Sequence, residues 1–141
     1  MTKKNDTSYP FQLRVLGAFL IFFAIRDFFG VFATYGQLRG SGIAYTDIWD
    51  FSAYPHEASL YMSQHLLAVI AVVSIITFLS RSKMFPWVFL GYYVCIILIY
   101  FATIVFFESP AGLGGIIGQT LLCVPWLVYV FKSKQARNVF A

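Results

Sequence analysis

Long stretches without a charged residue constrain the fold of this chain more than any other feature. Three such stretches contain 23, 24 and 23 residues and lie at positions 58–80, 84–107 and 109–131. A fourth stretch is interrupted at its centre by Arg26 and Asp27. About 20 apolar residues let an α-helix cross about 30 Å of hydrocarbon, and continuous apolar runs lack the alternation of a membrane β-barrel. The sequence therefore predicts an all-α, polytopic membrane protein built as a four-transmembrane-helix bundle.

The composition agrees with a single membrane domain over residues 1–141. Hydrophobic residues make up 60% of the chain and charged residues 11%, whereas a soluble domain has about 45–50% and about 25%. So few charged side chains cannot cover a soluble surface, which excludes a soluble monomer, a disordered tail and a nucleic-acid-binding module. The expected spans, followed by a basic tail at 132–141, lie at about 13–36, 58–80, 85–107 and 111–131.

The basic residues between the spans predict the orientation. Eight of them flank one set of span ends: Lys3, Lys4, Arg14, Arg81, Lys83, Lys132, Lys134 and Arg137. The opposite set has Arg39 as its one basic residue. It also holds four acidic residues, Asp47, Asp50, Glu57 and Glu108. Since basic flanks stay in the cytoplasm, we expect both termini to be cytoplasmic. The first apolar stretch resembles a signal peptide, but Arg26 and Asp27 split it, so we expect it to be retained.

Arg26 and Asp27 are the charged residues that fall inside a predicted span. An ionised group near the bilayer centre costs a few kcal/mol on insertion scales, so each of them is expected to face the protein interior and to have a partner. Adjacent helical residues point about 100° apart, so the two side chains are not assumed to satisfy each other. At least one of them is therefore expected to reach another helix.

Other polar residues fall at a similar depth when each span is measured from its outer end at about 1.5 Å per residue. With Arg26 and Asp27 they give a candidate intramembrane polar cluster, whose further members are Gln64, His65, Tyr100 and Gln119. One interpretation makes Arg26 a ligand for an anion or headgroup, and Asp27 with His65 a proton or ion relay. The other interpretation, which we favour, is a hydrogen-bonded lock that fixes helix register.

Three other features carry weaker predictions. A ridge of small residues on the fourth span, for helix packing within the monomer or in a homodimer, comprises Ala111, Gly114, Gly115 and Gly118. The loop at 37–57 is expected to hold a short interfacial element, as a lid over the bundle or as a docking segment. Candidate headgroup-binding residues are Arg81, Lys83, Lys132, Lys134 and Arg137. Phe140 is placed to return to the interface, and the tail could alternatively dock a partner.

Sequence motifs for catalysis, cofactor binding and metal binding are absent from the chain. We therefore expect a protein that is not an enzyme, has no cofactor and no metal, contacts the lipid bilayer, and associates with a membrane-protein partner or with itself. The favoured function is an accessory, assembly or interaction subunit of a larger membrane complex. The alternatives are a small transporter or channel-like homo-oligomer that uses Arg26, Asp27 and His65, or an immunity-type membrane protein.

The end of the chain resembles a known family. Residues 124–140 read Val-Pro-Trp-Leu-Val-Tyr-Val-Phe-Lys-Ser-Lys-Gln-Ala-Arg-Asn-Val-Phe. This segment is similar to the closing signature of the bacterial domain of unknown function 2569 (DUF2569) family, in which a last span rich in Trp, Pro and Tyr runs into a basic tail. Ser133, Lys134, Asn138 and Phe140 match that tail. The resemblance implies a four-span protein of the bacterial cytoplasmic (inner) membrane and brings no site residues.

Overall fold

The structure, a computed structural model, describes residues 9–141, so Lys3, Lys4 and Asp6 lie outside the described residues. Within that range the chain is helical and has no β-strand. Its helices are α1 (Phe11–Gly40), α2 (Pro55–Leu79), α3 (Phe85–Phe107), α4 (Ala111–Lys132) and α5 (Lys134–Val139). The first four are long and apolar enough to cross a membrane. The all-α, four-helix prediction is therefore confirmed, and the protein is a multi-pass integral membrane protein.

Helix boundaries follow local sequence signals. Pro55 and Pro86 lie in the first turns of α2 and α3, where the missing proline N–H costs no hydrogen bond. Glu108 ends α3 in the left-handed conformation, with φ 49°. The helix α1 continues past the predicted end at residue 36 to Gly40, and the glycine-containing turn at 40–42 then reverses the chain. This longer helix alters the depth of every residue measured from its end.

Consecutive long helices pack side by side, so that α1 contacts α2, α2 contacts α3 and α3 contacts α4. Phe19 of α1 also meets Trp126 of α4, with ring centroids 5.8 Å apart. Buried residues of α1 recur every three or four positions, in the order Leu13, Leu16, Leu20, Phe23 and Asp27. A carboxylate therefore occupies a position that the helical repeat directs into the core.

The loop between α1 and α2 folds back onto the ends of these two helices. It contains a short 3-10 helix, Asp47–Trp49, in which Ile48 is fully buried. The hydroxyl and backbone N–H of Ser52 and the backbone N–H of Ala53 donate hydrogen bonds to Oδ1 of Asp50. These bonds, that of the Ser52 hydroxyl foremost, lower the pKa of Asp50. The predicted short element is thus present and is part of a folded loop.

The basic tail forms a helix of six residues, α5, rather than an extended peptide. A break at Ser133 separates α4 from α5, which places Phe140 in the core. Its ring centroid lies 4.7 Å from that of Phe85 and 5.7 Å from that of Phe78. The sequence predicts Phe140 at the membrane interface. In the structure it is buried in the core instead. The short turn at 80–84 brings Phe78 and Phe85 together, and Phe140 fills the apolar space beside them.

Candidate functional site

Arg26 and Asp27 lie near the middle of α1. Arg26 is twelve residues from Arg14 and thirteen from Arg39, which corresponds to about 18 Å and about 20 Å along the helix. A bilayer is about 40–45 Å thick with its headgroup regions. With the two flanking arginines near the two headgroup layers, Arg26 and Asp27 lie close to the bilayer midplane.

The two charged side chains form a closed unit with Tyr92 of α3. Arg26 donates from Nε and Nη2 to Oδ1 of Asp27, at 2.9 and 2.7 Å. Its Nη2 also donates to the hydroxyl of Tyr92 at 2.8 Å, and that hydroxyl donates to Oδ2 of Asp27 at 2.5 Å. We call these three residues the polar triad. Each carboxylate oxygen accepts at least one hydrogen bond, and the tyrosine hydroxyl both donates and accepts.

Burial and aromatic packing strengthen the triad. The side chain of Asp27 is 4% exposed and that of Arg26 is 29% exposed. The guanidinium carbon lies 5.2 Å from the ring centroid of Phe23, which in turn stacks on Tyr92 at 6.0 Å. Charges this deep persist only when they are paired and hydrogen-bonded. The triad meets that condition, is electrically neutral and connects α1 directly to α3.

The triad confirms one expectation about the charged pair and shows where the depth estimate was wrong. At least one charged residue was expected to reach another helix, and both do, through the hydroxyl of Tyr92 rather than that of Tyr100. The two side chains also pair with each other, although they are adjacent on the helix. With α1 ending at Gly40, Asp27 lies about 20 Å from that end of the bundle, whereas Tyr92 lies about 22 Å and Tyr100 about 10 Å from the end of α3. The sequence interpretation missed Tyr92, and its hydroxyl within an otherwise apolar run is the one signal that could have marked it.

A small polar cavity adjoins the triad and contains four of the six predicted residues. Its volume is about 260 Å³, and Arg26, Asp27, Gln64 and Tyr100 line it together with Ala111 and apolar residues of α2, α3 and α4. At about 30 Å³ per water molecule, its volume of about 260 Å³ has room for about eight waters or one small polar solute. A Cβ atom at Gly30 would lie 3.1 Å from Oε1 of Gln64, so the glycine leaves room for this amide.

The structure does not bring His65 and Gln119 into this cavity. His65 lies on the side of α2 that faces α1 and the folded loop, and its Nδ1 bonds the carbonyl of Tyr61 at 2.9 Å. Gln119 is buried on α4 and accepts a hydrogen bond from the thiol of Cys123 at 3.7 Å. The six residues share neither a cavity nor a hydrogen-bond network, and a relay from Asp27 to His65 has no geometric basis here.

The glycines of α4 divide between two faces. A Cβ atom at Gly115 would overlap the ring of Tyr100, and one at Gly112 would lie 2.7 Å from the carbonyl oxygen of Tyr100. Gly112 and Gly115 therefore pack α4 against α3. A Cβ atom at Gly114 or Gly118 would meet nothing within 4 Å, so this pair forms an open ridge on the membrane-facing side. Gly112 escaped the sequence interpretation, although it lies three residues before Gly115.

The predicted headgroup-binding residues gather at one end of the molecule, here named the basic end. Lys83, Lys132, Lys134 and Arg137 are exposed there. Arg81 lies in the turn between α2 and α3, with its guanidinium carbon 4.8 Å from the ring centroid of Tyr9. The opposite end, named the acidic end, carries Asp47, Asp50, Glu57 and Glu108. The bases thus lie together at the end of the spanning helices, at the level of one layer of lipid headgroups.

Fold and site together define a four-helix integral membrane protein that is held by a neutral intramembrane triad. Comparison with protein-family models, with curated proteins and with solved structures finds no match for this chain.

Proposed function

We propose that the protein is a non-enzymatic interaction subunit that binds a larger membrane complex through α4. The open ridge at Gly114 and Gly118 carries this proposal. Small residues four apart let two helix backbones approach closely in lipid, where van der Waals contact drives association. The bulky side chains beside the ridge, Leu113, Ile117 and Leu121, are 57%, 53% and 70% exposed. A partner helix would find both a groove and flanking contacts on this face.

The polar triad supports the same function because its hydrogen-bonding groups are used within the bundle. Arg26, Asp27 and Tyr92 satisfy one another, which is the arrangement of a structural lock. A proton or ion relay would require a second titratable group within reach, and His65 faces a different space. The triad thus holds α1 on α3, while α4 presents its outer face for binding.

The proposed setting is the cytoplasmic membrane of a bacterium, with both termini in the cytoplasm. The basic end supports this orientation through the positive-inside rule. The similarity of Ser133, Lys134, Asn138 and Phe140 to the DUF2569 tail supports the bacterial setting and membership of that family. The basic residues at 81, 83, 132, 134 and 137 would then contact anionic headgroups, each contributing about 1 kcal/mol.

The test is co-purification from native membranes in mild detergent, with the ridge altered by Gly118→Leu. We expect the wild type to carry a membrane-protein partner in fixed stoichiometry and the variant to lose it while remaining folded. Gly91→Leu is the matched control, because Gly91 of α3 is another glycine whose Cβ position meets nothing within 4 Å. Equal retention of the partner by both variants would contradict the role of the ridge.

A second candidate is a small homo-oligomeric transporter, and the polar cavity beside the triad favours it. Two differently tagged copies of the chain, expressed together, distinguish the two functions. Mutual capture that Gly118→Leu abolishes, with no other protein present, would identify the ridge as a homo-oligomer interface. Capture of a different protein, with no exchange between the two tags, supports the interaction subunit.

A further inference from the structure

A second, larger space lies between α1 and α2, on a different helix pair from the α4 ridge. This groove has a volume of about 770 Å³. Phe28 and Phe32 of α1 and Val69 and Val72 of α2 line it, and each is more than half exposed. Since these side chains face the membrane, the groove is open sideways to lipid. An apolar chain can therefore enter it from the bilayer.

One end of the groove is polar. Tyr35, Tyr45, Tyr61 and His65 line it there. The backbone carbonyl of Tyr61 can only accept, so the 2.9 Å bond to Nδ1 of His65 fixes the hydrogen on Nδ1. In the neutral ring, Nε2 is then a hydrogen-bond acceptor. Within residues 9–141, neither this nitrogen nor the three tyrosine hydroxyls have a hydrogen-bond partner.

Aromatic rings surround the same end. The indole of Trp49 lies 5.3 Å from the ring of Tyr61, 6.0 Å from that of His65 and 6.3 Å from that of Tyr45, all measured between centroids. The ring of Tyr45 also lies 5.7 Å from that of Tyr35. A planar ring can stack on or meet the edges of these side chains, whereas a glycerol headgroup cannot.

The length of the groove matches one leaflet. From Tyr35 to Ala24 on α1 there are eleven residues, and from Tyr61 to Val73 on α2 there are twelve. These separations correspond to about 17 Å and about 18 Å, a little more than half of the hydrocarbon thickness of about 30 Å. A tail whose head lies at the aromatic end would thus reach the bilayer midplane.

The charges around the aromatic end disfavour an anionic headgroup. This end coincides with the acidic end of the molecule, where Asp47, Asp50, Glu57 and Glu108 outnumber Arg39. A phosphate there would meet repulsion and few cations. These charges favour a neutral ligand over an anionic one.

From these features we propose that the groove binds an isoprenoid quinol or quinone. The ring head lies among Tyr35, Tyr45, Trp49 and His65, and the tail runs between α1 and α2. In the reduced form, a quinol hydroxyl donates to Nε2 of His65, while ring oxygens of either form accept from tyrosine hydroxyls. The reduced form binds more tightly because only it can donate to Nε2.

The test uses the full chain in detergent with Trp87→Phe and Trp126→Phe, which leaves Trp49 as the fluorescent reporter. Decylubiquinol and decylubiquinone are the probes. We expect saturable quenching by both, with the quinol bound more tightly by about fivefold, the effect of one hydrogen bond. His65→Phe keeps a ring of similar size and should remove this preference. Quenching that does not saturate would overturn the proposal.

Variants that fill the groove separate specific binding from partition into detergent. Val69→Phe adds bulk to the groove at a membrane-facing position, and Ala68→Phe is a second variant of the same kind. Each should weaken binding about tenfold. Leu66→Phe is the matched control, since Leu66 is 56% exposed on α2 and does not line the groove. Equal affinity in Val69→Phe, Ala68→Phe and Leu66→Phe would contradict the site.

Two competitors test the class of ligand. Diacylglycerol is a neutral lipid without a ring head, and phosphatidylglycerol carries a phosphate. Neither should displace decylubiquinol at equal concentration. Displacement by diacylglycerol would assign the groove to glycerol lipids, and displacement by phosphatidylglycerol would assign it to anionic lipids. Either outcome overturns the quinol proposal and leaves the α4 interaction untouched, because Gly118→Leu alters a different face.

Discussion

At the scale of single residues, the stability of the bundle depends on a charge pair that lipid could not tolerate alone. Asp27 occupies a core position of α1, and Arg26 precedes it by one residue. Their ion pair at 2.7 Å, completed by Tyr92, gives both charges partners within the bundle. Replacing one member of such a pair costs more than replacing both, because the remaining charge is left buried without a partner.

Arg26→Met should therefore be more damaging than the double variant Arg26→Met with Asp27→Leu. We expect the single substitution to lower the free energy of unfolding by about 3–5 kcal/mol, and the double variant to regain most of that loss. Unfolding in detergent, followed by circular dichroism, measures both. Arg39→Met, at the exposed end of α1, is the control and should change stability by less than about 0.5 kcal/mol. A double variant as unstable as the single one would contradict the lock.

The charge pair was predictable from the sequence, but its partner was not. An ionised pair inside an apolar helix requires a polar neighbour whatever the fold, so Arg26 and Asp27 marked the site. The choice of Tyr92 over Tyr100 depends on the depth of Asp27, which is measured from the end of α1. That end must therefore be known to within one helical turn. Sequence signals locate helix ends less well than that, since capping residues and short loops compete over several positions.

At the scale of elements, α5 is the least expected part of the fold. Its six residues carry basic side chains on an exposed face, and Ala136 and Phe140 are buried. This burial attaches the end of the chain to the turn between α2 and α3. The basic residues of the tail are evident from the sequence. The space beside Phe78 and Phe85 that receives Phe140 forms only when the helices pack.

Phe140→Ala should loosen the basic end of the bundle. Removing a buried phenylalanine side chain costs about 3–5 kcal/mol in soluble cores, and we expect a loss near the lower figure, about 3 kcal/mol, at this helix end. Proteolysis of the tail in detergent, together with the midpoint of thermal unfolding, provides the measurement. Asn138→Ala is the control at an exposed position of α5. If Phe140→Ala and Asn138→Ala behave alike, the tail does not stabilise the bundle.

The packing of α4, like that of α5, could not be derived from the sequence of the helix alone. Its small residues predict close helix packing, either within the monomer or in a homodimer. The ring of Tyr100 requires glycine at 115, so this residue packs within the bundle, whereas Gly114 and Gly118 meet nothing within 4 Å. Composition identifies a small-residue helix, whereas the identity of the residue opposite each glycine depends on the final packing.

At the scale of the whole molecule, charge is sorted between the two ends. With the exception of Arg39, the exposed bases occupy the basic end, and four carboxylates occupy the acidic end. The fold class was predictable from the sequence because each charge-free stretch matches one bilayer crossing and needs no tertiary information. The groove between α1 and α2 was not, since it depends on the folded loop as well as on both helices.

Cysteine labelling checks the orientation that this sorting predicts. With Cys95 and Cys123 replaced by Ala, single cysteines are introduced as Ala53→Cys at the acidic end or Asn138→Cys in α5. In intact cells, a membrane-impermeant maleimide should label Ala53→Cys and not Asn138→Cys. Permeabilised cells should give labelling of both. The reverse pattern in intact cells, or labelling of both there, would contradict cytoplasmic placement of the basic end.

The neutrality of the polar triad also determines how the protein responds to membrane voltage. Arg26 and Asp27 lie near the middle of the electric field, and their charges cancel, so the potential exerts no net force on them. Asp27→Asn would leave one positive charge about halfway across the field, worth about 1 kcal/mol per 100 mV. The carboxylate that locks α1 onto α3 thereby also removes the voltage-dependent energy that the charge of Arg26 alone would add.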